Sequence, residues 1–412
     1  MTATDVCIIG AGPAGLMAAI HAARERAETT VLEANPNAGR KLLLSGGGRC
    51  NLTHAATIDE LVRAFGKSGR FLRHSFHELP PEAVRAFFAE RGLPSRVEPD
   101  RCVFPVTDRA ADVRAVLLCE SERLGARLLY RQRVADISTV NGGFAIRTNE
   151  QSFSSRNIII ATGGLSWPQT GSTGDGYRFA SALGHDIVAP KPSLVPLVTC
   201  ERWPAALAGV SLLRVQIWVA GDRKTSVTGP LVFTQDGIGG PAALDLSRAL
   251  TDQLVAGVEG IDIRIDLVPD LSETALDRTL QEQLALHAKK ALANVLAELV
   301  PRRLASTLCA LAQCDTQLQA GQLKKEARRR LVGALKALPL CVVGTRPLAE
   351  ATVTRGGVST AQIEPRTLQS RLCRGLFFAG EVLDVDGPCG GYSLQVCWST
   401  GALAGRSAGL SR

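Results

Sequence analysis

The sequence predicts an α/β protein: a Rossmann-type unit assembled from both ends of the chain, interrupted by a β-barrel-like insertion and a small helical block. Three observations predict this. A strand, a glycine turn, a helix and a second strand open the chain. A strand, a glycine-rich loop and a helix close it, and the texture between them changes twice, first to β-rich and then to helical.

The bulk figures suit such a chain. At 412 residues it exceeds one simple core, so two or three domains are expected. Its 45% hydrophobic and 21% charged residues are ordinary for a water-soluble protein. The net charge of +8 reads first as a mildly basic surface and second as an affinity for a polyanion such as RNA. Eleven cysteines occur without CxxC or Cys/His spacing, which argues against a zinc site, an iron–sulfur cluster or a dithiol reductase centre; no metal is expected. Their odd number suits a reducing compartment. Asp5 breaks any leader-like run at the start, and no uninterrupted apolar stretch is long enough for a membrane span, so a cytoplasmic protein is expected.

Taken in order, Asp5–Ile9 reads as a strand, Leu16–Ala27 as a helix and Thr29–Leu32 as the second strand. Helical pieces over 57–125 are broken at Pro80-Pro81, Pro94 and Pro105. Leu128–Ile137 and Phe144–Thr148 alternate as antiparallel strands about Asn141-Gly142-Gly143, and Ile158–Ile160 is a buried strand. The expected division is 1–190 for the first part of the nucleotide-binding unit, 191–270 for the β insertion and 271–340 for the helical block. A return to the β insertion over 341–365 and the closing part of the nucleotide-binding unit over 366–412 complete it. The helical block has no aromatic residue and carries 11 Lys+Arg against 6 Asp+Glu.

Four segments carry chemistry. Gly10-x-Gly12-x-x-Gly15 lies between strand and helix, with Glu33 ending the next strand. Glycines there admit a tight turn and close approach of a pyrophosphate to the helix N-terminus, while the acid suits ribose hydroxyls. Arg40–Asn51, with Ser45-Gly46-Gly47-Gly48 at its heart, offers backbone amides between cations. Thr162-Gly163 closes the buried strand, as a ligand crevice requires. Gly380–Gln395 has acids suited to a polyol, then a helix start at Gly391 whose positive end suits a ring that gains negative charge on reduction. By contrast Gly237–Ala242 resembles GxGxxA but lacks a following βαβ unit, so it reads as a helix start within the β insertion.

These segments, with GRKLLLSGGGRCNLT at 39–53, RCVFPVTDRAADV at 101–113, TGPLVFTQDGIGGPA at 228–242, TRGGVS at 354–359 and GLFFAGEVLDVDGPCGGYSLQVCWSTG at 375–401, resemble the BaiN/RdsA-type (YhiN-like) NAD(P)/FAD-dependent oxidoreductases over nearly the whole chain. The resemblance implies a FAD-binding domain of the glutathione-reductase type, with NAD(P)H as reductant. It implies pyrophosphate contacts from Ala11, Gly12, Pro13, Ala14 and Gly15, and adenosine contacts from Glu33, Ala34, Val134, Thr162 and Gly163. Arg40, Lys41, Ser45, Gly46, Gly47, Cys50 and Asn51 would line the diphosphate and flavin. Gly380, Glu381, Asp384, Gly391, Tyr392, Leu394 and Gln395 would hold the ribityl chain and ring. Tyr392, Arg49 and Cys50 are the candidates for moving a proton. The family's FTHxGxSGP pattern is altered here: Gln235 stands at the histidine, Gly239 at the serine, and Ser393 where asparagine is usual.

The activity so implied is reduction of an activated C=C bond of a small-molecule substrate. Reduction of uracil in ribosomal RNA, amine oxidation, and a non-enzymatic flavin redox sensor with Cys50 and Cys389 as reporters are the alternatives. Lys289-Lys290, Arg302-Arg303, Lys324-Lys325 and Arg328-Arg329-Arg330 motivate structured RNA as a partner.

Overall fold

The computed structural model describes residues 2–411. They form two compact units: one joins the chain up to Pro192 with the stretch from Leu348 onward, and the other is Ser193–Pro347.

The first unit is built on a seven-stranded sheet. Thr2–Ile9 runs parallel to Thr29–Leu32 on one side and to Ser152–Ile160 on the other. Arg127–Leu129 extends the sheet beyond Thr29–Leu32, and Leu376–Phe378 pairs in parallel with the last residues of Ser152–Ile160. The first residues of that same strand pair antiparallel with Gly143–Thr148, which in turn pairs with Val134–Val140. Val6, Cys7 and Ile8, like Ile158, Ile159 and Ile160, are wholly buried. Strands covered on both faces need such unbroken apolar runs.

The parallel registers align four strand ends in one row: Leu32, Ile9, Ile160 and Phe378 are successive neighbours. The residues that follow them, Glu33, Gly10, Ala161 and Ala379, therefore all leave the sheet at its carboxyl edge. That is the edge at which α/β sheets bind ligands.

The opening helix, Pro13–Arg24, packs against the closing helix, Tyr392–Leu410, through a seam of small residues. A Cβ on Gly401 would lie 2.4 Å from the Ala14 carbonyl oxygen, and one on Gly405 would lie 2.2 Å from that of Ala18. Spacing of four puts both glycines on one face of their helix, as it does the two alanines. The closing helix is also tied to the segment after the glycine-rich loop, because Trp398 Nε1 donates to the Leu52 carbonyl at 2.7 Å.

The second unit contains a closed six-stranded barrel, in the order Leu197–Thr199, Gly237–Gly239, Asp222–Phe233, Ser211–Val219, Ile261–Asp266 and Leu338–Thr345. Ile261, Ile263 and Ile265 are buried and alternate with more exposed neighbours, the period of a strand with one face inward. Gly237–Gly239 is a short barrel strand paired with Leu197–Thr199 and Asp222–Phe233, and Gly240, at φ 82°, caps the start of helix Pro241–Val255.

Two segments differ from the division expected above. The helical block and the barrel share one core: Leu276, Leu280 and Leu284 recur at helical spacing and are buried in the same cluster as Ile263 and Val342. Residues 341–365 divide, since Leu338–Thr345 closes the barrel while Val353–Val358 pairs with Ile187–Ser193 in a two-stranded sheet. The physical reason is register: the strand up to Thr345 finds partners on both sides in the barrel, and the chain leaves that unit at Pro347.

Candidate functional site

The site grows from the row of strand ends. After Ile9, Gly10 sits at φ 101°, and a Cβ there would meet the Ala161 carbonyl oxygen at 2.7 Å. A Cβ on Gly15 would lie 1.9 Å from the Gly10 oxygen, so this glycine serves the close fit of turn and helix. Gly12 is different. It has an ordinary extended backbone, no side-chain cap, and nothing within 4 Å of where its Cβ would be. Pro13 follows at the first helical position, and the amides of Ala14 and Gly15 belong to the first turn, which has no intrahelical acceptors. This helix start is a cradle with an open floor, suited to a pyrophosphate.

Glu33 is buried, and its carboxylate binds the turn: Oε2 accepts from the Ala11 amide at 2.8 Å, while Oε1 accepts from the Asn35 amide at 2.8 Å and from Asn35 Nδ2 at 2.7 Å. Asn35, which belongs to none of the motifs quoted above, is the hub of this corner. It also donates to the Thr170 carbonyl and accepts from exposed Arg40 at 2.9 Å. Its only signal in the sequence was its place two residues after the strand-ending acid. Ala34 lies half-buried between them, and Val134 starts its strand beside them, because the Gln132 amide donates to the Glu33 carbonyl. Gly163, at φ 74°, faces Ser172, and Thr162 packs against Gly176.

The glycine-rich loop is a pair of tight turns. Gly46 and Gly47 lie in the left-handed region at φ 56° and 67°, followed by Gly48 at φ 90° and Cys50 at φ 64°. A Cβ on Gly46 would press on the Asn51 amide nitrogen at 2.9 Å, whereas Gly47, like Gly12, has open space before it. Ser45 Oγ donates to the Leu42 carbonyl, and the Cys50 amide closes the loop on Ser45.

Lys41 and Glu381 join two of the predicted segments. Lys41 Nζ donates to Glu381 Oε2 at 2.7 Å and to Ser166 Oγ at 2.6 Å, and Glu381 Oε1 accepts from Ser166 Oγ and the Thr354 amide. Ser166 lies outside every motif quoted above, whereas Thr354 opens the TRGGVS motif. Gly380 is buried against Ala14, where a Cβ would come within 2.7 Å. Asp384 sits half-buried, and burial raises its carboxyl above the usual range. Nearby, the Tyr177 hydroxyl is buried with no hydrogen-bond partner; burial pushes it up first, and the charges of Glu381 and Asp384 add to that.

The closing helix begins at Gly391, φ 97°, wedged on the Thr53 backbone with Asn51 Oδ1 beside it. His54, absent from the expected set, stacks on Tyr392 at 4.7 Å between ring centroids, and its Nδ1 donates to the Gly390 carbonyl at 3.1 Å. Burial lowers its pKa. Leu394 packs against the core.

Three of the expected site residues are engaged within the protein or hold their protons firmly. Gln395 is wholly buried, and its side chain is used up within the protein: Oε1 accepts from Thr53, and Nε2 donates to the Leu79 carbonyl and to Ser399 Oγ. Its side chain braces the start of the closing helix against Thr53 and Leu79. Cys50 is wholly buried, and burial pushes its thiol up to about 12, so it keeps its proton. Arg49 is paired with Glu98 and Asp108, stacks over Phe104 at 3.9 Å, and holds its proton more firmly for it. Gln235 lies exposed in a bend of the second unit.

The described residues contain no cluster of three or more His, Cys, Asp or Glu side chains fit for a metal, and no helix long and apolar enough to cross a membrane.

A family model described as the HI0933-like protein Rossmann domain matches residues 4–407. Among curated relatives, a 3-dehydro-bile acid delta(4,6)-reductase from Clostridium scindens is 33% identical over 404 residues, covering 97% of this chain and 98% of that protein. A ribosomal RNA dihydrouridine synthase from Haemophilus influenzae is 30% identical over 399 residues, covering 95% of each. Among solved structures, a 3-ketosteroid delta1-dehydrogenase from Sterolibacterium denitrificans, in complex with 1,4-androstadiene-3,17-dione, aligns with a TM-score of 0.54 over 100% of both chains; at 12% identity this is a likeness of fold alone.

Proposed function

The chain belongs to the HI0933-like Rossmann family, and on that premise we propose that it is a FAD-dependent oxidoreductase that uses NAD(P)H to reduce an activated C=C bond. The observation that carries this reading is the row of four strand ends. It gathers the Gly12 cradle, the Glu33 corner, the Gly163 turn and the Gly380 turn on one edge of one sheet.

The residues present fit a flavin dinucleotide. Gly12 and Gly47 each leave open space at their backbone where any side chain would stand, and the Tyr177 hydroxyl is a buried polar group without a partner. Gly12, Ala14 and Gly15 would hold the pyrophosphate, Glu33 and Asn35 the adenosine end, and Asp384 with the Gly391 helix start the ribityl and ring end. When bound, FAD supplies a carrier that accepts and delivers a hydride. The protein's own part is to place the partial positive charge of the closing helix at Gly391 and to keep Lys41 and Glu381 paired. Of the three proton candidates, Cys50 and Arg49 hold their protons. Tyr392, half-buried and stacked on His54, is the one we assign to deliver a proton to the substrate carbon opposite the hydride.

The relatives' names support C=C chemistry, on a steroid-like enone in one case and on a uracil ring in the other. A specific observation favours RNA as a second reading. Lys289, Arg302, Lys324, Lys325 and Arg329 are exposed on the second unit and have no carboxylate within ion-pair distance among the described residues. The block is less free than its composition suggests, since Arg328 is bound to Asp277 and Lys336 to Asp266.

Anaerobic mixing of the purified flavoprotein with NADH or NADPH, followed by addition of 3-oxo-Δ4 steroids, amines or unmodified ribosomal RNA, tests both readings. Bleaching of the flavin band and its return with an enone or RNA is expected. Return only with oxygen, or no bleaching at all, would overturn the reductase reading in favour of an oxidase or a redox sensor.

A further inference from the structure

Two cysteines outside the site face one another in the second unit. The chain enters this unit at Ser193 and leaves it at Pro347, and the first and last barrel strands, Leu197–Thr199 and Leu338–Thr345, pair antiparallel. Thr199 lies opposite Val342, and Cys200, in the bend just past the end of its strand, sits beside Cys341, its amide donating to the Cys341 carbonyl at 2.9 Å. That backbone hydrogen bond holds the two residues side by side, and a disulfide spans Cα separations of about 4.4–6.8 Å. Cys200 is exposed and Cys341 half-buried. Gly260, at φ 76°, lies so close over Cys341 that a Cβ there would stand 2.9 Å from its sulfur, so the absence of a side chain makes the room.

We propose that Cys200 and Cys341 are a thiol–disulfide site at the neck of the inserted unit, oxidised by peroxide to an intramolecular disulfide. In the first step the Cys200 thiolate attacks peroxide: an S–O bond forms, the O–O bond breaks, and hydroxide leaves to take up a proton as water. In the second, the Cys341 thiolate attacks the sulfenyl sulfur: the S–S bond forms, the S–O bond breaks, and hydroxide again leaves as water. Two thiols lose two electrons and two protons, and one peroxide becomes two waters. The disulfide ties the incoming strand to the outgoing one, closing nearly the whole inserted unit into a loop and restricting its unfolded chain.

The surroundings set the rate. Glu201 accepts from the Cys341 amide through both carboxylate oxygens, at 2.9 and 3.1 Å. Packing around the Cys200 sulfur, then the Glu201 charge and the neighbouring thiol, push Cys200 up to about 11. The thiolate is the reactive form, so oxidation is slow at neutral pH and rises about tenfold per pH unit below that value.

The test uses the purified full-length flavoprotein. It is treated with hydrogen peroxide across a pH series, alkylated, and mapped by peptide mass, with C200S, C341S and E201Q in parallel. The expected result is a linked peptide pair containing Cys200 and Cys341 that dithiothreitol reverses, formed at least about threefold faster in E201Q because the repelling charge is gone. In C341S, Cys200 stops at a sulfenic acid that a dimedone-type reagent traps. Three outcomes overturn the proposal: both thiols stay alkylatable, Cys200 is over-oxidised while Cys341 stays alkylatable, or Cys200 couples between molecules. Mapping of the unsubstituted protein decides the matter even where a variant fails to fold.

Discussion

At the scale of single residues, the three glycines of the opening turn have different jobs, and the difference is measurable. Gly15 is packed on the Gly10 carbonyl, so a methyl group there must displace backbone. Gly15→Ala should lower the stability of the flavin-free protein by about 3 kcal/mol. Gly12 has an ordinary φ of −77° and open space beyond it. Gly12→Ala should therefore leave the flavin-free melting temperature unchanged while weakening FAD binding roughly tenfold or more, through lost amide contacts to charged oxygens. Calorimetric melting of both variants alongside flavin titration separates the two. Equal loss of stability in both would mean that Gly12 is structural and the cradle is not a ligand surface. The same distinction marks how far the sequence could be read. Glycine spacing announces a turn, but only coordinates reveal which glycine faces protein and which faces open space.

At the scale of elements, the site depends on how closely two helices approach. The closing helix carries Gly391 and Tyr392 to the sheet edge, and its contact with the opening helix runs through Gly401 and Gly405 against Ala14 and Ala18. Gly405→Ala places a methyl group 2.2 Å from the Ala18 oxygen and must push the helices apart. We expect a loss of about 2–3 kcal/mol, with weaker flavin retention as the helix start shifts. Gly333, on the exposed face of helix Lys325–Lys336, has nothing within 4 Å of its Cβ position. Gly333→Ala should instead add about 0.5–1 kcal/mol, the ordinary helix-propensity gain. Chemical denaturation of both variants checks the pair, and a neutral Gly405→Ala would deny the seam its role. The strand, turn and helix of each motif were legible in the sequence because they follow from short-range patterns of apolar residues and glycines. Their mutual locks were not. Lys41 finds Glu381, and Thr53 finds Gln395, across more than 300 residues of chain. Nothing in either local pattern says which distant partner will use up a polar side chain, and so the buried bracing by Gln395 was not legible in the sequence.

At the scale of the whole molecule, one sheet edge collects residues from both ends of the chain, while the inserted unit carries its own core and a surface of separate character. The question is whether that surface selects the substrate. Lys325 and Arg329 are four residues apart on one helix and so lie on one face, both exposed and without an ion-pair partner among the described residues. Their block has no aromatic residue for base stacking, so any RNA contact must be to phosphates. Such contact releases counterions and weakens steeply as salt rises. If RNA is the substrate, Lys325→Glu with Arg329→Glu should reduce binding of a ribosomal RNA fragment by about tenfold or more at low salt and flatten its salt dependence. Reduction of a small enone should be untouched, because neither side chain belongs to the flavin-holding edge. If the surface is only a solvated helix face, the double variant changes nothing in either assay. Retained RNA binding with unchanged salt slope would remove the physical basis of the RNA reading and leave the small enone as the substrate class to pursue.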